Sequence, residues 1–275
     1  MTAPPKLPIS VCVISGAEQQ RIGKALVSVS SWVSEVIVVL NEEVEDGTED
    51  VARQFGAQVF REPWKGHVAQ KNSAVAKATA PWLLGLDTDE VIPPALRREI
   101  TQVFTDATLT ARYAAFSMPR CTQFCGRWIR HGDWYPDRKV RLWRKGQGEW
   151  GGIDPHDKVV VNGAVGKLRQ DLLHFSADTM DRQVAKILPY GEAFAKHYKT
   201  LNYTPGYFDL IVRPGWRFVR AYFLRRGFLD GWQGSYIAWM SAFSTATRYA
   251  KLLEKRRPLP PSRPEIGEPP PTRPE

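Results

Sequence analysis

Four short runs carry almost no polar alternation: Ile9-Ser10-Val11-Cys12-Val13-Ile14, Val36-Ile37-Val38-Val39-Leu40, residues 57–60 and Trp82-Leu83-Leu84-Gly85-Leu86. A strand that is apolar on both sides must be covered on both sides, so such runs belong to a parallel sheet wrapped by helices. The segments between them agree. Ile22, Leu26, Val29 and Val33 recur at helical spacing. Asp46-Gly47-Thr48 makes a turn whose Thr48 is placed to cap a helix bearing Glu49 and Asp50, and residues 67–80 read as a further helix stopped before Pro81. The chain is thus expected to open as an α/β fold, strand and helix alternating around a mostly parallel sheet.

The last of these strands runs directly into Asp87-Thr88-Asp89-Glu90. Open α/β sheets bind ligands outside the carboxyl ends of their strands. Two carboxylates one residue apart offer hard oxygen ligands there, suited to magnesium or manganese and through it to a nucleotide diphosphate. A capped turn before Pro93-Pro94 and a helix over 95–104 also uses acidic residues, so the motif alone leaves both readings open.

Length and composition set outer limits. The 275 residues suffice for one large domain or two small ones, and 43% hydrophobic content is that of a folded protein. No run reaches the roughly 18 to 20 apolar residues of a membrane span, and residues 1–8 lack a signal-peptide core, so the expected location is cytoplasmic. Cys12 reads as a small buried hydrophobe, and Cys121-x3-Cys125 lacks a second ligand pair for zinc, so structural thiols are expected. The net charge of +9 is concentrated at residues 213–226 and 251–257. Such an excess suits nucleic acid, an anionic membrane or a phosphorylated substrate without choosing among them. No nucleic-acid-binding motif accompanies it, and nucleic acid is not an expected partner.

Past residue 113 the pattern changes. Short strands over 114–118 and 140–143, with Phe124, Trp128, Trp134 and Tyr135 between them, predict a mixed-sheet extension. Gly148-Glu149-Trp150-Gly151-Gly152-Ile153-Asp154-Pro155-His156-Asp157 reads as a mobile or ligand-lining loop, or as an ordinary connection. Residues 181–198, 216–226 and 227–253 read as helices. Trp216, Val219, Phe223, Trp232, Tyr236, Trp239 and Phe243 fall at three- and four-residue intervals, flanked by Arg217, Arg220, Arg225 and Arg226, which fits an interfacial surface or a packed aromatic stripe with a solvated basic face. The expected organisation is a flexible N-terminus (1–8), a catalytic domain (9–175), a helical extension (176–256) and a disordered proline-rich tail (257–275).

The ordered motifs resemble family 2 glycosyltransferases of the GT-A fold, and within them the lipopolysaccharide core glycosyltransferases. The resemblance runs over residues 9–253. Residues 9–18 match the opening strand and its loop, with Glu18 kept and Ala17 in place of the family's usual Asn. Residues 38–48 match a strand followed by Asp-Gly-Thr, 66–72 a Gly-x-x-x-Gln-Lys-Asn pattern, 82–90 the strand and Asp-x-Asp-Glu, and 135–143 a Tyr-Pro-Asp-x-x-x-Arg-Leu segment. Residues 222–234, Tyr-Phe-Leu-Arg-Arg-Gly-Phe-Leu-Asp-Gly-Trp-Gln-Gly, match the lipopolysaccharide branch. Asn41 stands where the family usually has Asp, and His156-Asp157 where it has His-Glu.

The resemblance implies a Rossmann-like GT-A sheet and a metal-dependent, inverting transfer from a nucleotide diphosphate sugar, UDP first among nucleotides, to a lipid-linked saccharide. It implies Asp89, Asp87 and His156 as metal residues, and Glu18, Asn41, Lys71, Asn72 and Asp87 around the nucleotide. Asp157, then Asp137, is the implied general base, since an inverting transfer needs a carboxylate within reach of the incoming hydroxyl. The basic, aromatic C-terminal helices would meet an anionic membrane from the cytoplasmic side. A non-catalytic nucleotide-sugar-binding protein is the alternative. A nucleotidyltransferase of the same sheet would open with a glycine-rich phosphate loop, for which residues 15–24 are too poor in glycine.

Overall fold

The computed structural model describes residues 5–153, 156–177, 179–185, 187–199 and 203–256. Residues 1–4 of the expected flexible N-terminus and the expected disordered tail, 257–275, lie outside them, while Leu7 and Pro8 belong to the first strand. The chain divides between Thr179 and Met180 into two compact units.

The first unit opens as the apolar runs require. Its elements are β1 (Leu7–Ser15), α1 (Gln19–Val27), β2 (Val33–Asn41), α2 (Thr48–Gln54), β3 (Gln58–Glu62), α3 (His67–Lys77) and β4 (Trp82–Gly85). The strands lie in the order β3-β2-β1-β4, all parallel. Val11 and Val13 face one side with Ile22 and Leu26 of α1; Cys12, Ile37 and Val39 face the other with Ala74 of α3. Each such aliphatic side chain contributes about 1.5–3 kcal/mol on burial. Cys12 behaves as one of them: burial, with Glu35 nearby, pushes its thiol up to about 12, so it stays protonated and inert.

Two local expectations change. The helical spacing runs on to Val33, but α1 stops at Val27. The Ser28 hydroxyl donates to Ala25 O (2.6 Å), the Trp32 indole donates to Ser28 O (2.8 Å), and Val33 pairs with Leu7 as the first residue of β2. Thr48 does not cap α2. Asp46 Oδ1 accepts from the Thr48 amide (3.0 Å) and hydroxyl (2.5 Å), and Thr48 Oγ1 accepts from the Glu18 amide (3.0 Å), so this turn ties down the loop after β1.

The sheet then turns mixed. After the Asp-x-Asp turn come β5 (Glu90–Val91), α4 (Pro94–Thr105), α5 (Ala107–Arg112), β6 (Ala115–Phe124), β7 (Arg127–Trp128), β8 (Asp137–Arg144), β9 (Gly148–Ile153), β10 (His156–Val161), β11 (Val165–Lys167) and β12 (Leu172–Ala177). Beyond β4 the order is β8-β6-β12-β5, with β8 antiparallel to both its neighbours and β12 parallel to β6. The glycine-rich segment expected as a loose loop is a hairpin: β9 and β10 pair antiparallel, Asp157 opposite Gly152. One of its glycines and one at the end of β4 make room for two tryptophans. A Cβ at Gly148 would lie 3.0 Å from Trp143, and one at Gly85, at the end of β4, 2.6 Å from Trp150 and 3.2 Å from Trp143. Gly85→Ala is therefore expected to cost about 1–3 kcal/mol through overpacking of a buried ring pair. Urea unfolding monitored by tryptophan fluorescence will read it, and an unchanged midpoint refutes it.

The second unit is helical: α6 (Met180–Ala185), α7 (Ile187–Lys199), α8 (Arg213–Val219) and α9 (Gly231–Arg256). Wide π-type turns flank α8 at Phe208–Val212 and Arg220–Leu224, and a 3-10 turn at Gly227–Asp230 separates it from α9. The helix expected over 227–253 thus starts at Gly231. Gly234 is needed there, since a Cβ on it would lie 1.9 Å from the Gly227 carbonyl oxygen. Among the described residues no helix is long and apolar enough to cross a membrane.

Candidate active site

The carboxyl edge of β1 and β4 opens into a cavity of about 290 Å³ lined by Ile14, Ser15, Gly16 and Glu18 after β1, Trp64, His67 and Lys71 at the start of α3, Asp87, Thr88 and Asp89 after β4, Asp157 on β10 and His174 on β12. This is near the lower end of the ~300–1,000 Å³ of small-molecule sites. Strands from both halves of the sheet deliver these residues to one place. Glu18, Lys71, Asp87, Asp89 and Asp157 therefore share a wall.

Lys71 is the hub. It is buried on the inner face of α3, and its ammonium sits 2.7 Å from Asp87 Oδ1 and 2.7 Å from Asp157 Oδ2, over the Trp150 ring at 4.3 Å. The second Asp87 oxygen is taken by Arg141 of β8: Nη2 lies 2.5 Å from Asp87 Oδ2 and 2.6 Å from Oε1 of the fully buried Glu90. Glu90 Oε2 in turn accepts from the Asp87 amide at 3.2 Å. Burial works to raise the Asp87 carboxyl, but Arg141 and Lys71 outweigh it and hold the group well below the usual carboxylate range. On Arg141 burial works to lower the pKa, and Asp87 and Glu90 outweigh it and raise it.

Asp89 has different company. Its Oδ2 faces His174 Nε2 at 3.4 Å, and His174 Nδ1 is 3.0 Å from the Thr122 hydroxyl. The Phe175 amide donates to the Asp89 carbonyl at 2.8 Å, which locks β12 beside the Asp-x-Asp turn. Burial raises the Asp89 carboxyl and the His174 contacts more than offset it, so the group stays an anion below the ordinary range. A carboxylate oxygen and an imidazole nitrogen turned toward each other, the far ring nitrogen fixed by a hydroxyl, is a donor set suited to a divalent cation. Nothing in Leu172-Leu173-His174-Phe175 flagged this histidine in the sequence; a polar side chain in an apolar strand was the only signal.

Other expected residues sit elsewhere. Asn72 spends its amide on the hairpin, accepting from Trp150 N (2.9 Å) and donating to Trp150 O (2.8 Å), so it seats β9 against α3 and does not line the cavity. Asn41 ends β2, accepts weakly from the Glu43 amide (3.4 Å) and does not line the cavity either. Asp137 is held by Arg120 at 2.7 Å and Lys139 at 3.1 Å, outside the cavity wall. The His156 side chain lies outside the described residues; its backbone pairs with Ile153. Trp64 and His67, edge to face at 4.9 Å, give the cavity an aromatic wall that the sequence had not flagged.

A second cavity of about 190 Å³ adjoins the first through shared Thr88 and Asp89 and is completed by Arg21, Lys24, Val91, Gln123 and Phe175. Asp89 thus stands on the wall between two concave spaces. That arrangement suits a transfer between two bound molecules.

The chain is similar to several known proteins. An uncharacterized glycosyltransferase of Rickettsia prowazekii is 31% identical over 261 residues, spanning 90% of this chain and 87% of that protein. The lipopolysaccharide core biosynthesis glycosyltransferase LpsC of Rhizobium meliloti is 26% identical over 90% of this chain and 94% of its own. Among solved structures, the mannosyltransferase PcManGT from Pyrobaculum calidifontis, in complex with GDP-Man and Mn2+, superposes with a TM-score of 0.54 over 92% of this chain and 88% of its own at 12% identity, a likeness of fold. Residues 10–161, from β1 through the hairpin that carries Asp157, match the glycosyl transferase family 2 profile. The chain belongs to that family and is a glycosyltransferase.

Proposed function

We propose that this glycosyltransferase moves a sugar from a nucleotide diphosphate donor, UDP the first expectation, to a saccharide carried on a lipid, with inversion at the anomeric carbon. The observation that carries the reading is Asp89 facing His174 on the wall between two cavities, next to a lysine clamped by two carboxylates. The donor would lie in the larger cavity, its base against Trp64 and His67, with Glu18 alongside. Asp89 and His174 would hold a magnesium or manganese ion, which when bound supplies positive charge to the departing diphosphate. Asp87, both oxygens committed, shapes the turn and holds Lys71 rather than ligating metal.

Lys71 is placed to answer the phosphates. When it does so, its hold on Asp157 weakens, and the Asp157 carboxylate becomes available to take the proton of the incoming hydroxyl. Asp137, flanked by two cations off the cavity wall, is the weaker candidate for that role. A single displacement of this kind yields a β-linked product from an α-linked donor. The lipid-borne, lipopolysaccharide-type acceptor is supported by the likeness to LpsC and by the exposed aromatics of the helical unit, among them Trp216, Trp232, Trp239 and Phe243, interleaved with arginine. Such a surface suits an anionic membrane face.

Thermal unfolding with UDP-, GDP- and ADP-sugars, each with and without manganese, tests the donor assignment. A donor at one hundred times its Kd will stabilise the fold by about 2.7 kcal/mol, visible as a rise of Tm with one nucleotide class and only when manganese is present. Slow metal-dependent release of the nucleotide diphosphate should accompany it. A Tm unmoved by every donor overturns the proposal.

A further inference from the structure

We propose that the helical unit carries an anion site that takes a phosphomonoester borne on a lipid headgroup. Arg213 and Arg217 of α8, Arg220 just beyond it, Thr245, Arg248 and Tyr249 of α9, and the rings of Phe194 and Trp216 enclose a cavity of about 270 Å³. Among the described residues its lining holds four guanidinium groups and no carboxylate. Many times the ~30 Å³ share of one water molecule, this space admits a phosphate with the group it esterifies.

Arg213 joins the two helices. Arg213 Nε is 2.9 Å from Asp209 Oδ1, and its Nη1 donates to the Tyr249 hydroxyl at 2.7 Å, which joins the start of α8 to α9. Arg217 and Arg220 follow at four- and three-residue spacing on the same face. Arg248 closes the cavity from α9, and its buried Nε has no hydrogen-bond partner among the described residues. Buried donors are nearly always satisfied, and the forked guanidinium is the side chain best matched to phosphate oxygens.

The rim names the rest of the ligand. Trp216 lines the cavity and is still 57% exposed, while Phe208, which lies under the Arg213 guanidinium at 5.7 Å, is 60% exposed. Ile211, Phe223 and Leu224 are exposed beside them in sequence. A cationic hollow opening through apolar side chains fits an amphiphile, charged at its head and apolar behind it, better than a free sugar phosphate or a nucleic acid. The inference rests on the membrane-surface reading given above and adds to it a defined site with a preference for one headgroup chemistry.

Flotation of the full chain with phosphatidylcholine vesicles carrying either phosphatidic acid or phosphatidylserine at matched surface charge separates site from surface. The wild type should partition to phosphatidic acid at least about tenfold better. Arg217→Gln combined with Arg248→Gln should bring that ratio to about one, and Arg248→Lys, which keeps charge but loses the fork, should lower the ratio while binding to phosphatidylserine persists. Arg225→Gln with Arg226→Gln, outside the cavity wall, should weaken both lipids by about fivefold per charge and leave the ratio intact. Thermal unfolding of each variant guards against a folding defect. A wild-type ratio near one, or a ratio untouched in the cavity variant, overturns the site while anionic binding keeps the membrane reading. Soluble glycerol phosphate bound as tightly as the vesicles, by calorimetry, overturns the lipid origin of the ligand. Indifference of the wild type to every anionic vesicle overturns the membrane reading and this inference with it.

Discussion

Replacing Asp89 with asparagine will abolish the manganese-dependent Tm rise with donor and lower the transfer rate about 10³-fold or more, with the fold intact. Asparagine keeps the shape of the side chain and its one contact with His174, so no cavity and no lone buried charge is created. What it removes is the anionic oxygen. A metal acting on a departing oxyanion is worth several kcal/mol, and about 4 kcal/mol is a factor of 10³ in rate. His174→Gln should show the same loss of metal dependence. Thr122→Val, which only frees the imidazole to turn, should cost about 10- to 100-fold in metal affinity. A metal competes with protons for its ligands, so manganese binding should weaken as the pH falls. An Asp89→Asn protein that keeps its manganese-dependent shift removes the proposed metal site.

How far the sequence reached toward this site follows from what each residue does. The first four strands were legible because burial on both sides leaves an unbroken apolar run, and the Asp-x-Asp was legible because it follows one of them directly. Lys71 and Asp157 were named for nucleotide and proton transfer, but their ion pair depends on a hairpin packing against a helix, and no local pattern encodes that. His174 escaped because β12 joins the sheet from the far end of the unit and meets Asp89 only through register. Asp137 and Asn72 came with the family resemblance; in the structure Asp137 lies between two cations, Asn72 is bonded to both ends of Trp150, and neither lines the cavity. The segment read as a loop because glycine usually marks flexibility, whereas here Gly148 yields space to Trp143 and Gly151 to Val160 within a paired hairpin.

Arg141, passed over as one letter of a longer motif, is expected to be the most expensive single residue to lose in the first unit. Arg141→Met should destabilise the protein by about 3–5 kcal/mol at neutral pH, since the methionine fills the space but leaves Asp87 with Lys71 and the fully buried Glu90 with Arg120 at 3.5 Å and the Asp87 amide at 3.2 Å. The pH dependence separates charge from packing. In the wild type the depressed Asp87 carboxyl contributes stability that is present above its unfolded pKa of about 3.9 and lost as pH falls through the folded value. Without Arg141, burial is less opposed and the Asp87 carboxyl moves up. The folded variant then holds its Asp87 proton at higher pH than the wild type does, so it loses less stability as pH falls. The gap in urea midpoint between the two proteins should therefore shrink steadily from pH 7 toward pH 4. Glu90→Gln added to Arg141→Met removes one of the stranded charges and should recover roughly half of the loss. A gap that stays constant with pH would mean that Arg141 matters for the space it fills beneath Trp150, not for the charges it joins.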